Sequence, residues 1–412
     1  MALIALLAAC GHRADDSVDT ASVDSNDTGD LPPLERQTGE EVLGGDYWTG
    51  DAGDGLGAVM FVGETAWLSA AQRDGGVGAV CHAGETGPVE PCWTGRTSRG
   101  FLGNSVAAHG DHLAAGAFWD DTGGSWAGSV FLLDDAGGSA EDASATWSGT
   151  GGDYAGSSLS VGDLTGDGGE DLAVGGFAAG ANSVGRIWLV DGSGGSLEDA
   201  SDLVEGSVAD GWLGMDSSVG DVDGDGQDDL FAGAVGENAE AGAAYLFLGP
   251  IAGTVVSGDS DVRVYGEATF GYAGKSVALG DVDGDGLDDL AVAESDIDRV
   301  HLILGPGDSG PLSGSDASIS GAGRFGFSLE SEDLDRDGFA DLAVGSTRFE
   351  ETGAAFVFYG PFSGELTHED ADWTLLGEAA SDKAGIEVQI FSNQLFVGAS
   401  GPEDGAGRVY RP

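Results

Sequence analysis

Four segments of the chain repeat one acidic pattern, and this repeat restricts the possible folds more than any other feature. Within nine residues, Asp stands at positions 1, 5 and 9, Asp or Thr at position 3, and Gly at position 6. The first residues of the four copies are Asp163, Asp221, Asp281 and Asp333, so the copies are 58, 60 and 52 residues apart. Self-similarity at such intervals is typical of proteins built from repeated structural units.

Each acidic segment lies in the same succession of short predicted strands. A strand enters the segment, and an apolar strand such as Asp229–Gly233 leaves it. A third strand follows a loop rich in Gly and Ala, and a fourth, more polar strand ends the unit on Gly. Four short strands with tight turns in about 50–60 residues predict one blade of a β-propeller.

The same template identifies three further units in which a tight turn replaces the acidic segment. They open at Leu56, Leu102 and Ala384, each followed by Gly, and they bring the number of units to seven. The last unit ends after its third strand, and residues 46–50 match the missing fourth strand. We therefore predict an all-β, seven-bladed propeller of four-stranded blades over residues 46–412. An N-terminal strand completes the last blade, which removes the exposed sheet edges.

The acidic segments have the composition of a site for a hard cation. Alternation brings the carboxylates of positions 1, 3 and 5 to one centre, and Gly at position 6 permits the turn that follows. Several carboxylate oxygens are the ligands that Ca²⁺ prefers, and without a cation the four acidic groups would repel one another. The backbone carbonyl at position 7 is the expected fifth ligand. We predict three to four Ca²⁺ ions, with the weakest site at the segment that contains Thr165. The predicted ligands are Asp163, Thr165, Asp167, Gly169 and Asp171; Asp221, Asp223, Asp225, Gln227 and Asp229; Asp281, Asp283, Asp285, Leu287 and Asp289; and Asp333, Asp335, Asp337, Phe339 and Asp341.

Two other structures have acidic patterns of this kind. An EF-hand needs Glu at position 12 and flanking helices, whereas position 12 is Val174, Ala232, Val292 or Val344, each in a predicted strand. The EF-hand is therefore excluded. A solvated acidic turn remains possible for any single copy, but four copies in register argue against it.

The charge of the chain excludes one class of partner. Asp and Glu number 72 against 15 Lys and Arg, which gives a formal net charge of −57. Such a surface repels phosphate backbones and anionic membranes. We expect no nucleic-acid partner, and membrane attachment only through a lipid anchor.

The N-terminus resembles an export signal. Residues 1–10 form a short apolar run that ends in Cys10; it is too short to span a bilayer, which needs about 20 residues, but suits the apolar region of a secretory signal. Leu7–Cys10 is similar to the lipobox of bacterial lipoproteins, which implies lipidation of Cys10 and location at the outer membrane or cell surface, or otherwise secretion. A chance apolar terminus with a free Cys is the alternative, because no Lys or Arg precedes the run. Residues 11–45 are rich in Asp, Ser, Thr and Glu and predict a flexible acidic tether.

The other two cysteines lie in one predicted hairpin. Cys81 and Cys92 stand on strands joined by a turn that contains Gly and Pro. A disulfide between them is expected in an oxidising compartment, and two buried free thiols are the alternative.

The acidic segments, with the aromatic-Gly opening and the Gly-Ala turn of each unit, resemble the FG-GAP repeats of the integrin alpha-subunit propeller. The resemblance covers about residues 46–412. It implies a ring of seven blades with Ca²⁺ in the loops between strands one and two, and ligands or partner subunits on the opposite face. The chain departs from that family in two respects. Its acidic segments lie in units three to six, whereas integrins usually carry them in the last four. We also expect neither the integrin leg domains nor their membrane span, so integrin-type signalling is not expected.

We expect a non-catalytic binding or adhesion module for a protein or a glycan. Its ligand face would include the richest loop between second and third strands, because exposed aromatic side chains suit binding. The residues predicted on this face are Phe118, Trp119, Asp120, Asp121 and Trp126.

An extracellular propeller enzyme that acts on polysaccharide, as a lyase or hydrolase, is the alternative function. The catalytic signals are weak. Residues 307–312 are similar to the nucleophile motif of trypsin-like serine proteases, but they occupy a loop where sister units have other Gly-Pro pairs. His109 and His112 could form a transition-metal pair, but they flank a predicted hairpin turn. The fold alone does not decide between the two functions.

Overall fold

The computed structural model describes residues 39–42, 47–51, 55–62, 65–84, 87–391, 393–401 and 407–411. The predicted signal sequence, Cys10 and most of the predicted tether lie outside the described residues. The regular secondary structure of the described chain consists almost entirely of short strands, which belong to seven sheets.

The strands are β1 (Gly39–Val42), β2 (Tyr47–Thr49), β3 (Leu56–Val62), β4 (Thr65–Ala70), β5 (Ala79–Ala83), β6 (Pro88–Thr94), β7 (Val106–His109), β8 (His112–Ala117), β9 (Ser129–Leu133), β10 (Gly138–Ser139), β11 (Ala145–Ser148), β12 (Leu159–Gly162), β13 (Asp171–Gly176), β14 (Arg186–Val190), β15 (Gly195–Ser196), β16 (Asp202–Glu205), β17 (Leu213–Gly220), β18 (Asp229–Ala234), β19 (Ala243–Phe247), β20 (Thr254–Val256), β21 (Val262–Tyr265), β22 (Val277–Gly280), β23 (Asp289–Glu294), β24 (Arg299–Ile303), β25 (Gly310–Pro311), β26 (Ala317–Ser320), β27 (Phe325–Glu332), β28 (Asp341–Ser346), β29 (Ala354–Phe358), β30 (Gly364–Thr367), β31 (Trp373–Leu376), β32 (Ala384–Phe391), β33 (Gln394–Ala399) and β34 (Arg408–Tyr410). The helical segments are single turns: α1 (Arg73–Gly76), α2 (Glu237–Glu240), and 3-10 turns at Ala140–Asp142, Leu197–Asp199, Ser257–Asp259, Ser295–Ile297, Leu312–Gly314, Phe349–Glu351 and His368–Asp370.

Each sheet is a blade of four antiparallel strands, as the repeat predicted. Blades 1 to 7 consist of β3–β6; β7, β8, β9 and β11; β12, β13, β14 and β16; β17, β18, β19 and β21; β22, β23, β24 and β26; β27, β28, β29 and β31; and β32, β33, β34 and β2. The first strand of each blade is innermost, and the first strands contact one another in sequence around the axis, from β3 through β7, β12, β17, β22 and β27 to β32 and back to β3. The fold is therefore a seven-bladed β-propeller.

The ring closes in the predicted way. Strand β2 pairs antiparallel with β34, so that Trp48 lies opposite Val409. The Trp48 side chain is only 2% exposed, and it packs with Phe396 of blade 7 and with Leu68 of blade 1. The N-terminal strand thus contributes both backbone hydrogen bonds and buried apolar surface to the closure.

The hydrophobic core is divided among the interfaces between blades. Seven clusters of buried side chains are present in the described residues, and each combines the facing sides of two neighbouring blades. In the cluster between blades 3 and 4, for example, Ile187 and Val204 pack against Leu230 and Tyr245. Because a sheet buried on both faces needs two partners, only a closed ring covers every blade.

A fifth strand, which the sequence did not predict, joins six of the blades. In blades 1 to 5 a short segment from the next blade pairs parallel with the fourth strand, as β20 does with β16. In blade 6 this strand is β1, which pairs parallel with β31. Residues 39–42 therefore belong to the propeller, although the sequence placed them in the tether; an edge strand held by backbone hydrogen bonds needs no apolar pattern.

Glycine permits the close approach of adjacent blades. Gly185 and Gly242 precede third strands with φ of 86° and 83°, a conformation that Gly adopts without steric cost. Each forms a parallel bridge with the next blade, to Leu213 and Ala273 respectively. A Cβ atom at either glycine would overlap this neighbouring backbone, which explains part of the unusual content of 76 glycines.

Candidate cation-binding loops and the opposite face

The four acidic segments form the connections between the first and second strands of blades 3 to 6. We name them the blade 3 loop (163–171), the blade 4 loop (221–229), the blade 5 loop (281–289) and the blade 6 loop (333–341). In each, position 1 directly follows the last residue of the innermost strand, and position 9 is the first residue of the second strand. Antiparallel strands place all four loops on one face of the ring.

Backbone amides fix the carboxylates of each loop. In all four, the amide of the Gly at position 6 donates to the carboxylate at position 1 over 2.8–3.0 Å. The amide at position 7 donates to Oδ1 of the Asp at position 5, also over 2.8–3.0 Å. The loops are therefore ordered by their own backbone, because these charge-assisted hydrogen bonds are among the stronger ones.

Three of the loops bring carboxylates close enough to share one ion. An oxygen from each of three aspartates lies within 4.8 Å of the other two in the following sets: Asp221, Asp223 and Asp225; Asp281, Asp283 and Asp285; and Asp333, Asp335 and Asp341. All-oxygen ligation of this kind suits Ca²⁺. The carbonyls of Gly169, Gln227, Leu287 and Phe339 remain predicted ligands.

The blade 3 loop differs from the other three. Thr165 occupies position 3, and this loop is not among the converging carboxylate sets of the described residues. Its Asp163 Oδ1 is buried and has no hydrogen-bond partner among the described residues. An uncompensated buried carboxylate oxygen is costly, so a cation at this loop would satisfy an otherwise orphaned group. The donor set thus fits a cation here too, with one carboxylate fewer.

In blades 4, 5 and 6, the aspartate at position 9 connects the loop to the chain that follows the third strand of its blade. Asp229 Oδ2 accepts from the amide of Val222, and its Oδ1 accepts from the amide of Gly249, both over 2.8 Å. Burial raises the pKa of Asp289 to about 6 and that of Asp341 to about 7, and the charges of neighbouring loop aspartates act in the same direction. A bound cation would stabilise the ionised forms of both groups.

Contacts between neighbouring loops were not predicted. Asp288, at position 8 of the blade 5 loop, accepts from the amide of Asp221 over 3.1 Å. At the two ends of the series, Glu170 accepts from the amide of Gly110 in blade 2 over 2.8 Å, and Asn393 of blade 7 donates to the carbonyl of Asp333 over 2.9 Å. The amide of Asp163 also donates to Asp228, and the amide of Ala340 donates to the carbonyl of Asp281, so a chain of hydrogen bonds links blades 2 to 7 on this face. The first Asp of the pairs at 228–229 and 288–289 was its only signal in the sequence.

The opposite face carries a cluster of aromatic side chains. We define the aromatic cluster as Phe101, Phe118, Trp119, Trp126, Tyr154 and Phe177. Neighbouring rings lie with centroids 4.8–6.5 Å apart. Trp126 is 54% exposed. These residues lie either between the second and third strands of a blade or just before its first strand. Both places are at the end of the blade that is opposite the acidic loops. Phe101, Tyr154 and Phe177 were not among the predicted face residues.

The structure corrects the prediction for Asp120. Its side chain is only 1% exposed, so it cannot meet a ligand, whereas Asp121 is exposed and Phe118 and Trp119 are half-buried. Asp120 Oδ2 accepts from Arg96 Nε over 3.0 Å. Burial alone would raise the pKa of Asp120, but hydrogen bonds from Arg96 and Thr122 outweigh this effect and hold the pKa below its ordinary value. The buried ion pair fixes the loop that carries the aromatic residues.

Other residues singled out in the sequence have structural places. Cys81 and Cys92 are opposite one another on β5 and β6 and form a disulfide with an S–S distance of 2.09 Å. His109 and His112 face each other across the hairpin of blade 2. Ser309 of the protease-like motif accepts from the amide of Arg263 over 2.9 Å, next to the short outer strand β25.

The fold and the loops define a class: a seven-bladed β-propeller with acidic loops on one face. Two stretches match known families: residues 213–247 match the FG-GAP repeat, and residues 281–344 match the FG-GAP-like repeat. The chain thus carries FG-GAP repeats.

Its relatives include integrin alpha chains. The chain is 32% identical to human integrin alpha-IIb over 211 residues, which are 46% of this chain and 20% of that protein. It is 33% identical to Drosophila melanogaster integrin alpha-PS2 over 176 residues, 38% of this chain and 12% of that protein. It is 32% identical to Xenopus laevis integrin alpha-5 over 178 residues, which are 37% of this chain and 16% of that protein. The chain therefore matches a fifth or less of the length of these relatives. Among its described residues, no helix has the length and apolarity needed to cross a membrane.

Proposed function

We propose that the chain is a calcium-stabilised, surface-anchored propeller that binds a protein ligand through the aromatic cluster and catalyses no reaction. The observation that carries this proposal is the cluster itself. Exposed, mutually packed aromatic rings provide apolar contact area at low entropic cost, and such residues are enriched among binding hot spots.

The repeat itself places these residues. Phe101, Trp126 and Tyr154 have φ of 57°, 59° and 57°, in the left-handed region that bulky residues rarely adopt. Trp212 and Tyr272, at equivalent positions of blades 4 and 5, have φ of 55°, so this conformation belongs to the repeated unit. The similarity to integrin alpha chains also supports a binding module, since their name denotes subunits of adhesion receptors.

The acidic loops serve this surface indirectly. In the proposal, Ca²⁺ at the loops of blades 3 to 6 rigidifies the opposite face through the blades, and Cys10 anchors the exported protein by lipid. Ligand binding would then depend on Ca²⁺ without any contact between ligand and ion.

The test compares two exposed apolar residues. The wild-type propeller, Trp126→Ala and the control Val89→Ala are immobilised and exposed in Ca²⁺ to proteins of the extracellular medium of the native cells. Val89 is 44% exposed and lies outside the aromatic cluster. We expect wild type and Val89→Ala to retain the same protein, and Trp126→Ala to retain at least about ten times less, because a hot-spot aromatic contributes about 2 kcal/mol or more.

Equal retention by all three proteins would contradict the assignment of the aromatic cluster. A parallel assay offers the wild type a panel of polysaccharides. Depolymerisation of any of them would contradict the non-catalytic part of the proposal and favour the polysaccharide-degrading alternative.

A further inference from the structure

A cavity of about 350 Å³ lies on the axis of the propeller, between the innermost strands. Its wall combines apolar and ionisable side chains. Blades 2 and 3 line it mainly with apolar side chains, including Val106, Leu159 and Val161. Blades 4 to 7 contribute all of its ionisable side chains, together with further apolar ones such as Val277 and Phe327. The volume lies within the range of small-molecule sites.

Four ionisable side chains line this axial channel: Asp216, Lys275, Glu330 and Glu387. The sequence of β3, the innermost strand of blade 1, is LGAVMFV and contains no titratable residue. Three carboxylates and one ammonium leave a net charge of −2 when all four are ionised.

The opposite charges of Asp216 and Lys275 compensate each other in part. Asp216 also accepts a hydrogen bond from the amide of Val277 over 3.0 Å, and the Lys275 ammonium lies 4.6 Å from the centroid of the Phe327 ring. These two residues are thus held by their own contacts, and Glu330 and Glu387 supply the excess negative charge of the channel when they are ionised.

Unpartnered acceptors lie on the same wall. Gln389 Oε1 and Ser331 Oγ are buried and have no hydrogen-bond partner among the described residues, and both residues line the channel. Such groups are costly unless a water or a ligand satisfies them. A ligand that donates hydrogen bonds would satisfy them, and a positive charge would complement the glutamates.

The channel glutamates do not belong to a carboxylate set of the kind found in the acidic loops. In the described part of the chain, the sets of three acidic groups that converge within 4.8 Å are those of the blade 4, 5 and 6 loops. Glu330 and Glu387 come from different blades and share the cavity with apolar side chains, an arrangement that matches two ammonium groups joined by methylenes.

We propose that the axial channel binds a linear aliphatic diammonium compound. Its ammonium groups contact Glu330 and Glu387 and donate to Gln389, and its methylene chain lies along Val106 and Leu159. This site is independent of the aromatic cluster and of the acidic loops.

The protonation of the glutamates gives the site a pH dependence. Burial raises the pKa of Glu387 to about 8, with the Asp216 charge adding to the effect and Lys275 opposing it. Burial raises the pKa of Glu330 well above its ordinary value. A diammonium ligand binds the ionised forms, so each carboxyl that is neutral in the free protein releases its proton to solvent on binding. Affinity should therefore rise between pH 6 and pH 8.5.

The experiment is calorimetric titration of the full propeller with putrescine, in excess Ca²⁺ so that the acidic loops are saturated. Butane-1,4-diol and n-butylamine are the comparison ligands. We expect binding of putrescine with a dissociation constant at least about ten times lower than that of butylamine, and no heat with the diol. Titrations in two buffers of different ionisation enthalpy measure the released protons.

Variants assign the site. Glu330→Gln and Glu387→Gln should each weaken putrescine binding about tenfold or more, since a charge-assisted hydrogen bond is worth at least about one factor of ten. Glu365→Gln, at an exposed position of β30, is the matched control and should bind as wild type does.

Circular dichroism checks that each variant is folded. Glu387→Asp, which keeps the charge, should retain more affinity than Glu387→Gln. The absence of putrescine binding to the Ca²⁺-saturated protein, or equal binding by both glutamine variants and the control, would overturn the proposal.

Discussion

The carboxylate of Asp228 in the blade 4 loop accepts a hydrogen bond from the backbone amide of Asp163 in the blade 3 loop, with an N–Oδ2 distance of 2.7 Å. Asp228 stands at position 8 and is not a predicted ligand of its own loop. It instead holds the first residue of the neighbouring loop, as Asp288 holds Asp221 one blade further on. Adjacent loops are therefore mechanically connected.

This connection predicts that Asp228→Ala weakens cation binding at the blade 3 loop. Loss of a charge-assisted hydrogen bond of about 1.5–3 kcal/mol leaves the first ligand less well placed. We expect the affinity of the weakest Ca²⁺ site to fall about tenfold in calorimetric titration, with the other sites changed less. Asp259→Ala, which removes a charge at an exposed turn of blade 4, is the control, and an equal effect of both variants would show that net charge alone is responsible.

Removal of calcium should destabilise the propeller. Without a cation the loop carboxylates repel one another, and Asp163 Oδ1 remains without a partner. We expect EGTA to lower the melting temperature by several degrees or more, because a ligand present at about 100 times its dissociation constant stabilises by about 2.7 kcal/mol per site. Differential scanning calorimetry with and without EGTA measures this shift, and readdition of Ca²⁺ should reverse it. An unchanged melting curve would argue that the loops bind no structural ion.

A substitution in the blade 3 loop should strengthen its site. Thr165→Asp restores the carboxylate that the other three loops carry at position 3 and adds a charged ligand to the set. We expect about tenfold or higher affinity at this site, seen in calorimetric titration as a fourth site comparable to the others. Thr165→Asn, which adds a neutral oxygen of similar size, separates the effect of charge from that of geometry.

The repeat in the sequence predicted the blades, the acidic loops and the closure because each depends on local patterns that recur. An apolar strand, or a loop with Asp at fixed positions, is visible within ten residues. Asp120 and Asp228 could not be assigned this way. Each is an ordinary surface-type residue in the sequence, and its partner, Arg96 or Asp163, is defined only by the packing of one blade on the next. The same holds for the axial channel, whose wall combines residues from six blades.

Because the N-terminal strand β2 closes the ring, we expect substitution of one of its three residues to lower the stability of the propeller strongly. Trp48 is buried between blades 7 and 1 and donates through Nε1 to the carbonyl of Gly84, whereas the neighbouring Thr49 is exposed. We expect Trp48→Ala to lower the free energy of unfolding by about 3–5 kcal/mol and Thr49→Ala to lower it by less than about 1 kcal/mol. Denaturant unfolding of the Ca²⁺-loaded proteins measures both. A small effect of Trp48→Ala would show that the ring holds without this strand.

The buried ion pair beneath the aromatic cluster gives a prediction with a defined pH dependence. Arg96→Ala leaves the carboxylate of Asp120, which is 1% exposed, without its charged partner, and breaking such a pair costs about 3–5 kcal/mol. Because the pKa of Asp120 is lowered in the folded protein, the stabilisation is present above the ordinary pKa of an aspartate and is lost as the pH falls through the lower, folded value. The difference in unfolding free energy between wild type and Arg96→Ala should therefore be largest near neutral pH and shrink below about pH 4.

Arg299→Ala, at an exposed arginine of β24, should change stability little at any pH. If the Arg96→Ala deficit were the same at pH 3.5 and pH 7, the loss would reflect packing of the arginine on Phe131, whose ring centroid lies 4.9 Å from the guanidinium, and the ion pair would contribute nothing to holding the aromatic loop.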